Sequence, residues 1–310
     1  MKTESLRTAY GERLVELAKN DERIVACEAD LGKSTMSCLM EETYPDRFFE
    51  MNIAEQNMAA FAAGLSYTGK IPFISTFAMF ISGRSYEQIR QSIGTARANV
   101  KICGSSSGLS DFGDGASHQC VEDIAVMGSI PGMVVLEPAD APQTRAMVDA
   151  MTEYTGPVYF RINRADLPTV TEEGRKFEIG KIYEMKPGSD AVIFATGMMV
   201  KLALDAAEAL EKEGISLRVL NVSTLKPLDP EHILSFTKGM KAVVTAEEHS
   251  VVGGLNSIVC QAIAGKYVGP VVPVGVPDVF GFSTLDYQTL LDHFELTPAN
   301  IMEKVRQALK

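Results

Sequence analysis

The chain has 310 residues, and at roughly 100–200 residues per domain that length predicts two domains, each able to enclose a core. Its 29 Lys and Arg against 40 Asp and Glu leave a net charge of −11, which repels a phosphodiester backbone and excludes general nucleic-acid binding. With 46% hydrophobic and 22% charged residues, the composition is that of a folded globular protein and not of a disordered one.

In chain order, Leu6, Tyr10, Leu14 and Leu17 recur at helical spacing and predict an amphipathic helix. A strand follows at 24–28, and β-rich runs at 72–75, 100–104, 133–136 and 158–161 then alternate with helical stretches at 56–65, 85–98, 122–127 and 141–154. This alternation predicts an α/β fold with a mostly parallel sheet flanked by helices. The pattern lapses into a polar stretch, so the first domain is expected over 1–168, a linker over 169–187 and a second α/β domain over 188–310. In the second domain, strands are predicted at 191–195, 217–221, 242–246 and 271–274, and helices at 200–213 and 255–264. Five cysteines with no Cys-x-x-Cys pair fit neither a disulfide framework nor a zinc ribbon, and predict a reducing, cytoplasmic location. Neither a signal-peptide core nor a run of roughly 20 apolar residues is present, so secretion and membrane insertion are not expected.

Several polar residues stand out, each with an ordinary explanation beside the functional one. Glu55 opens an apolar helix, where the helix dipole alone would favour a carboxylate. Phe77 and Phe80 can present neighbouring aromatic faces or simply fill a core. His118 lies in the Gly-bearing loop after the 100–104 strand, where open α/β sheets place ligand-binding groups, and can exchange a proton or hydrogen bond with a hydroxyl. Arg164 follows the 158–161 strand and can fork onto a phosphate, although surface ion pairs are the commoner use. Gly113-Asp114-Gly115 looks like the start of a diphosphate and metal motif, but the Asn that should follow about 25–30 residues later is missing, so no metal site is expected in this chain. His249, near the end of the 242–246 strand, is expected to make a loop contact.

Taken together, Glu28-Ala-Asp-Leu31, Asn52-Ile-Ala-Glu-Gln-Asn-Met58, Ser75-Thr-Phe77, Asp114-Gly-Ala-Ser-His-Gln119, Glu137-Pro-Ala-Asp140, Asn163-Arg164 and Glu247-Glu-His-Ser-Val-Val-Gly-Gly254 resemble, in order, the C-terminal half of transketolase. The resemblance covers the pyrimidine-binding domain and the family's C-terminal domain and omits the diphosphate-binding domain, as in the second chain of a split, two-chain transketolase. It implies thiamine diphosphate as cofactor, with Glu55 as the carboxylate that exchanges a proton with the aminopyrimidine ring, Phe77 and Phe80 packed against that ring, and Asp30 close to it. It implies substrate binding by Ser34, Asp114, His118 and Arg164, with His118 also taking part in catalysis, and Mg2+ ligands supplied by an N-terminal partner in an α2β2 assembly that dimerises through this chain.

The implied reaction is transfer of a two-carbon ketol unit from a ketose, phosphorylated in the usual family members, to an aldose. Two positions depart from the pattern: Ser106 stands where the family has a phosphate-holding His, and Gly113 where it has a Glu before the Asp. These departures leave the sugar open. The competing readings are the β subunit of a 2-oxo acid dehydrogenase, a deoxyxylulose-phosphate-synthase-like protein, and a non-catalytic interaction subunit.

Overall fold

The computed structural model describes residues 2–310. The first sheet has seven strands in the order Thr224–Lys226, Val134–Leu136, Val158–Arg161, Lys101–Ser105, Ile71–Phe77, Ile24–Glu28 and Phe48–Glu50. All are parallel except Thr224–Lys226. Ile24–Glu28, Ile71–Phe77 and Lys101–Ser105 are buried along their whole length, as befits strands covered by helices on both faces. The second sheet runs Val271–Val276, Ala242–Ser250, Ala191–Ala195, Leu217–Asn221 and Tyr183–Lys186, with only Tyr183–Lys186 antiparallel. Among the described residues no helix is long and apolar enough to cross a membrane, and all five cysteines are unpaired.

Local chemistry sets the helix ends. The Ser5 hydroxyl accepts from the Thr8 amide and starts Leu6–Ala18, whose Leu6, Tyr10 and Leu14 are buried. Asp140 caps Ala141–Glu153 by accepting from the Gln143 amide, with Pro142 in the first turn, where a missing N–H costs nothing.

Two parts of the chain differ from the expectation. The stretch expected as a helix over 85–98 belongs to a segment in which Phe80–Arg84 and Ile89–Thr95 wind as π-helix around the short α-turn Tyr86–Gln88. Buried Ile81, Ile89 and Ile93 carry an apolar pattern too short to separate i→i+4 from i→i+5 winding, and such wide turns are frequent beside functional sites. The expected linker, 169–187, is no free connector. The Asp140 carboxylate accepts from the Val170 and Thr171 amides and the Thr171 hydroxyl, Phe177 is buried, and Tyr183–Lys186 is an edge strand of the second sheet.

Thr224–Lys226 leaves the second domain to pair with Val134–Leu136 of the first sheet. Between the domains lies the fully buried Arg161. Its Nε donates to both Asp123 carboxylate oxygens at 3.0 Å, one terminal nitrogen donates to Glu137 and the other donates to the Glu248 carbonyl at 2.7 Å. Glu137 also accepts from the Thr196 hydroxyl at 2.8 Å. The Glu248 carboxylate accepts from the Leu109 amide, the Asn163 side chain and the Tyr287 hydroxyl. Burial pushes Glu248 up to about 7, with the Arg161 charge acting against it. Gly108 permits this arrangement: its φ is +62° and an added Cβ would lie 2.5 Å from the Glu248 carboxyl carbon.

At the other side of the sheet, Glu28 ends its strand fully buried. It accepts from the Ala29 amide at 3.0 Å, from Thr35 Oγ1 at 2.7 Å and from Ser37 Oγ, which pins the turn that follows. Burial pushes the carboxyl up to about 7, opposed by these donors.

Replacing Arg161 by Leu strands Asp123 and Glu137 without a counter-charge, and is expected to cost about 3–5 kcal/mol in denaturant unfolding; a loss below about 1 kcal/mol would contradict the central role of this residue. The raised Glu28 carboxyl means the folded state holds its proton more tightly than the unfolded chain, where Glu titrates near about 4.3. Its stabilisation is therefore complete below that value and lost as pH rises through about 7. Between about pH 5 and pH 8 the melting temperature of Glu28→Gln should rise relative to the wild type, and a constant difference would contradict the assignment.

Candidate functional site

The residues singled out from the sequence gather at the C-terminal ends of the parallel strands, the ligand-binding edge of open α/β sheets. Asp30 and Ser34 follow Ile24–Glu28, Phe77 ends its strand with Phe80 just after, Ser106 to His118 follow Lys101–Ser105, and Arg164 follows Val158–Arg161. Glu55 opens the helix Glu55–Tyr67 beyond the edge strand Phe48–Glu50.

A line of contacts joins most of them. Glu55 is 1% exposed; its Oε1 accepts from Arg84 at 2.6 Å, while its Oε2 is buried without a partner. The Arg84 guanidinium carbon sits 4.8 Å from the Phe80 ring centroid, a cation–π distance. Phe80 stacks on Phe77 at 5.9 Å and 20°. The His118 ring meets Phe80 edge-on at 5.2 Å and Phe77 at 6.1 Å, and its Nδ1 lies 2.9 Å from Ser117 Oγ. Arg164 lies 5.8 Å from the Phe77 centroid and donates to Asp111 Oδ2 at 3.0 Å.

Ser34 lies beside this line through its carbonyl, which accepts from Arg7 at 2.7 Å. Burial and the nearby positive charge of Arg164 hold the Arg7 guanidinium below its ordinary value, and its Nε is buried without a partner. Asp114 is exposed at the start of the turn Gly115–Ser117. Asp30 is also exposed, with φ +61°, and its amide shares Glu50 Oε1 with the Asn52 amide. The Ser105, Ser106 and Ser107 hydroxyls and that of Thr76 are buried without partners, the condition in which polar atoms await a ligand or water. Ser106 holds φ +53°, outside the range most L-residues adopt.

Arg7, Arg84 and Asp111 were not legible as site residues. Arg7 stands next to the buried Leu6 at the start of an amphipathic helix, Arg84 meets Glu55 across 29 positions and Asp111 meets Arg164 across 53; no local motif encodes such pairings. The second domain supports the site from behind. Gln119 donates to the Phe282 carbonyl at 3.0 Å, Ser283 donates to the Gly113 carbonyl at 2.6 Å and the Thr284 amide donates to the Phe112 carbonyl at 2.9 Å, so one segment of that domain braces the loop of Asp114 and His118. His249 makes an interdomain contact, accepting from the Ile124 amide at 3.2 Å. Burial drives it down to about 4, so it is neutral near pH 7.

A buried carboxylate with one free oxygen, two stacked aromatic rings and a pair of guanidiniums suit a flat nitrogen heterocycle at one end and an anion at the other. Residues 2–170 match the model of the transketolase pyrimidine binding domain and residues 180–301 that of the transketolase C-terminal domain. A chain of Methanocaldococcus jannaschii, provisionally named a transketolase C-terminal section, is 42% identical over 98% of this chain and 96% of its own length. A 6-deoxy-6-sulfo-D-fructose transketolase subunit of a Clostridium species is 40% identical over 97% of this chain and 94% of its own. The solved structure of a split gene transketolase, described as an inactive β4 tetramer, superposes with a TM-score of 0.90 at 45% identity, covering 99% of each chain. Matched along its length by both domain models, the chain belongs to the transketolase family and carries the part found in the C-terminal chain of its split members.

Proposed function

We propose that this chain, joined to an N-terminal partner that supplies the Mg2+ ligands, is half of a thiamine-diphosphate-dependent transketolase that moves a two-carbon ketol unit from a ketose to an aldose. The observation that carries the reading is Glu55, with one carboxylate oxygen committed to Arg84, which itself lies over the Phe80 ring of the Phe77–Phe80 stack, and the other buried and unpartnered. An orphaned acceptor joined through Arg84 to an aromatic platform fits the nitrogen-bearing edge of an aminopyrimidine, so the residues present suit the cofactor the family implies. Thiamine diphosphate, when bound, supplies the electron sink for carbon–carbon cleavage.

The chain's own residues do the rest in this reading. Glu55 holds a proton against a ring nitrogen through Oε2, while Arg84 fixes its orientation. Phe77 and Phe80 pack on the ring and exclude water, and Asp30 lines the same strand edge. His118, whose Nδ1 faces Ser117, keeps Nε2 for a sugar hydroxyl and can pass a proton to or from it. Asp114 accepts from a further hydroxyl. Arg7, Arg164 and Ser34 receive the far end of the sugar, where the guanidiniums fork onto an anionic group. The relatives' names include one subunit acting on a sulfonated sugar and one acting on a phosphorylated sugar, so both kinds of donor are candidates for this chain. That the solved relative is described as an inactive β4 tetramer is in keeping with this chain being inactive alone; in this reading the active form is an α2β2 complex.

In a complex of this chain with its partner, thiamine diphosphate and Mg2+, Glu55→Gln should lower ketol transfer from xylulose 5-phosphate to ribose 5-phosphate by about 100-fold or more, with thermal unfolding and assembly unchanged. Full activity in that variant would defeat the reading. The isolated chain should give no turnover, and titration with the partner should restore it to a plateau at equal stoichiometry.

A further inference from the structure

We propose that Asp111 determines specificity at the terminal subsite: its carboxylate offsets the charge of Arg164, so the site prefers ketoses whose far end carries at most one negative charge over those ending in a phosphate dianion. The inference rests on the transketolase reading above.

The Asp111 side chain is 4% exposed, whereas that of Arg164 is 35% exposed. The guanidinium thus faces the open site with its charge already paired from beneath, at 3.0 Å. The pairing is fixed in place, because the Arg164 amide donates to Ser110 Oγ at 3.0 Å and Ser110 Oγ donates to the Ser107 carbonyl. Three other charged or titratable groups face Asp111: Asp114 on the same loop, His118 beyond it and Arg7 from the first helix.

Two guanidiniums, Arg7 and Arg164, therefore stand among three carboxylates, Asp111, Asp114 and Asp166, of which only Asp111 is withdrawn from solvent screening. A phosphate monoester carries close to two negative charges near neutral pH, and meets the carboxylate field twice as strongly as a sulfonate does; a free hydroxyl meets almost none of it. The neighbouring hydroxyls of Ser106 and Ser107 are buried and unpartnered. They can bind an oxygen without adding positive charge.

The test uses the assembled complex with three donors and one acceptor: xylulose 5-phosphate, D-xylulose and 6-deoxy-6-sulfofructose, in the wild type, Asp111→Asn and Asp111→Glu. The quantity read is kcat/KM for the phosphorylated donor divided by that for each of the others. The wild type should favour the uncharged or the sulfonated donor, and which of the two it favours identifies the terminal group. Asp111→Asn should raise the ratio by about tenfold or more, chiefly through KM, and Asp111→Glu, which keeps the charge, should stay near the wild type. An unchanged ratio would overturn the proposal. So would a wild type that prefers xylulose 5-phosphate; loss of that preference in Asp111→Asn would then show that the carboxylate orients Arg164 for phosphate.

Thermal stabilisation of the same complexes by inorganic phosphate and by methanesulfonate reads the subsite without turnover. Asp111→Asn should gain stabilisation by phosphate, and no gain would overturn the proposal. Absence of transfer from every donor together with that gain would defeat the transketolase reading while leaving the subsite assignment intact. Should Asp111→Asn fail to fold, the wild-type donor order and its response to the two anions decide.

Discussion

Arg161 carries a full positive charge in a place no water reaches, and such a charge is tolerated only when its donors are matched by acceptors. Asp123, Glu137 and the Glu248 carbonyl provide that match, and each comes from a different part of the chain: the helix after the loop of Asp114 and His118, the end of Val134–Leu136 and the longest strand of the second sheet. The requirement to satisfy one guanidinium thus fixes the relative placement of three elements. Because Arg161 is only three residues before Arg164, the same requirement sets where the outer arginine emerges.

From this centre the second domain acquires a role its lack of reactive groups would not suggest. Glu248 grips the backbone at Leu109 and the side chain of Asn163, one residue from Arg164. The 282–284 segment holds the other end of the same loop through Phe112, Gly113 and Gln119. The loop bearing Asp114 and His118 would otherwise be a surface segment rich in Gly and Ser, with little side-chain bulk to hold a shape. Rigid support from behind keeps groups on a loop within the small tolerance that proton transfer and hydrogen bonding demand.

Much of this was legible in the sequence, for reasons that differ by residue. The strands at 24–28 and 191–195 are short apolar runs bounded by polar residues, and the structure returns them as Ile24–Glu28 and Ala191–Ala195. Glu55, Phe77, Phe80 and His118 each have an ordinary explanation when taken singly and stand out only because their motifs follow one another in an order that resembles one family; the structure joins them by contact from Arg84 to Arg164. Arg7, Arg84 and Asp111 are ordinary charged residues until the fold brings them to their partners, so no local pattern marks them. The π-helical turns and the Asp140-pinned connector were hidden for a related reason: hydrophobic periodicity reports which residues are buried, not how tightly the backbone winds or which carboxylate holds a loop.

Thr224–Lys226 has a consequence beyond register. By completing the first sheet next to Val134–Leu136, it acts as a cover on an edge that would otherwise expose a row of open amide and carbonyl groups, the template on which chains associate strand to strand. The boundary between the domains is therefore not a line along which the molecule divides cleanly. Severing it would convert an interior strand of the first domain into an adhesive margin, and the same short strand that couples the two halves also protects the first from self-association.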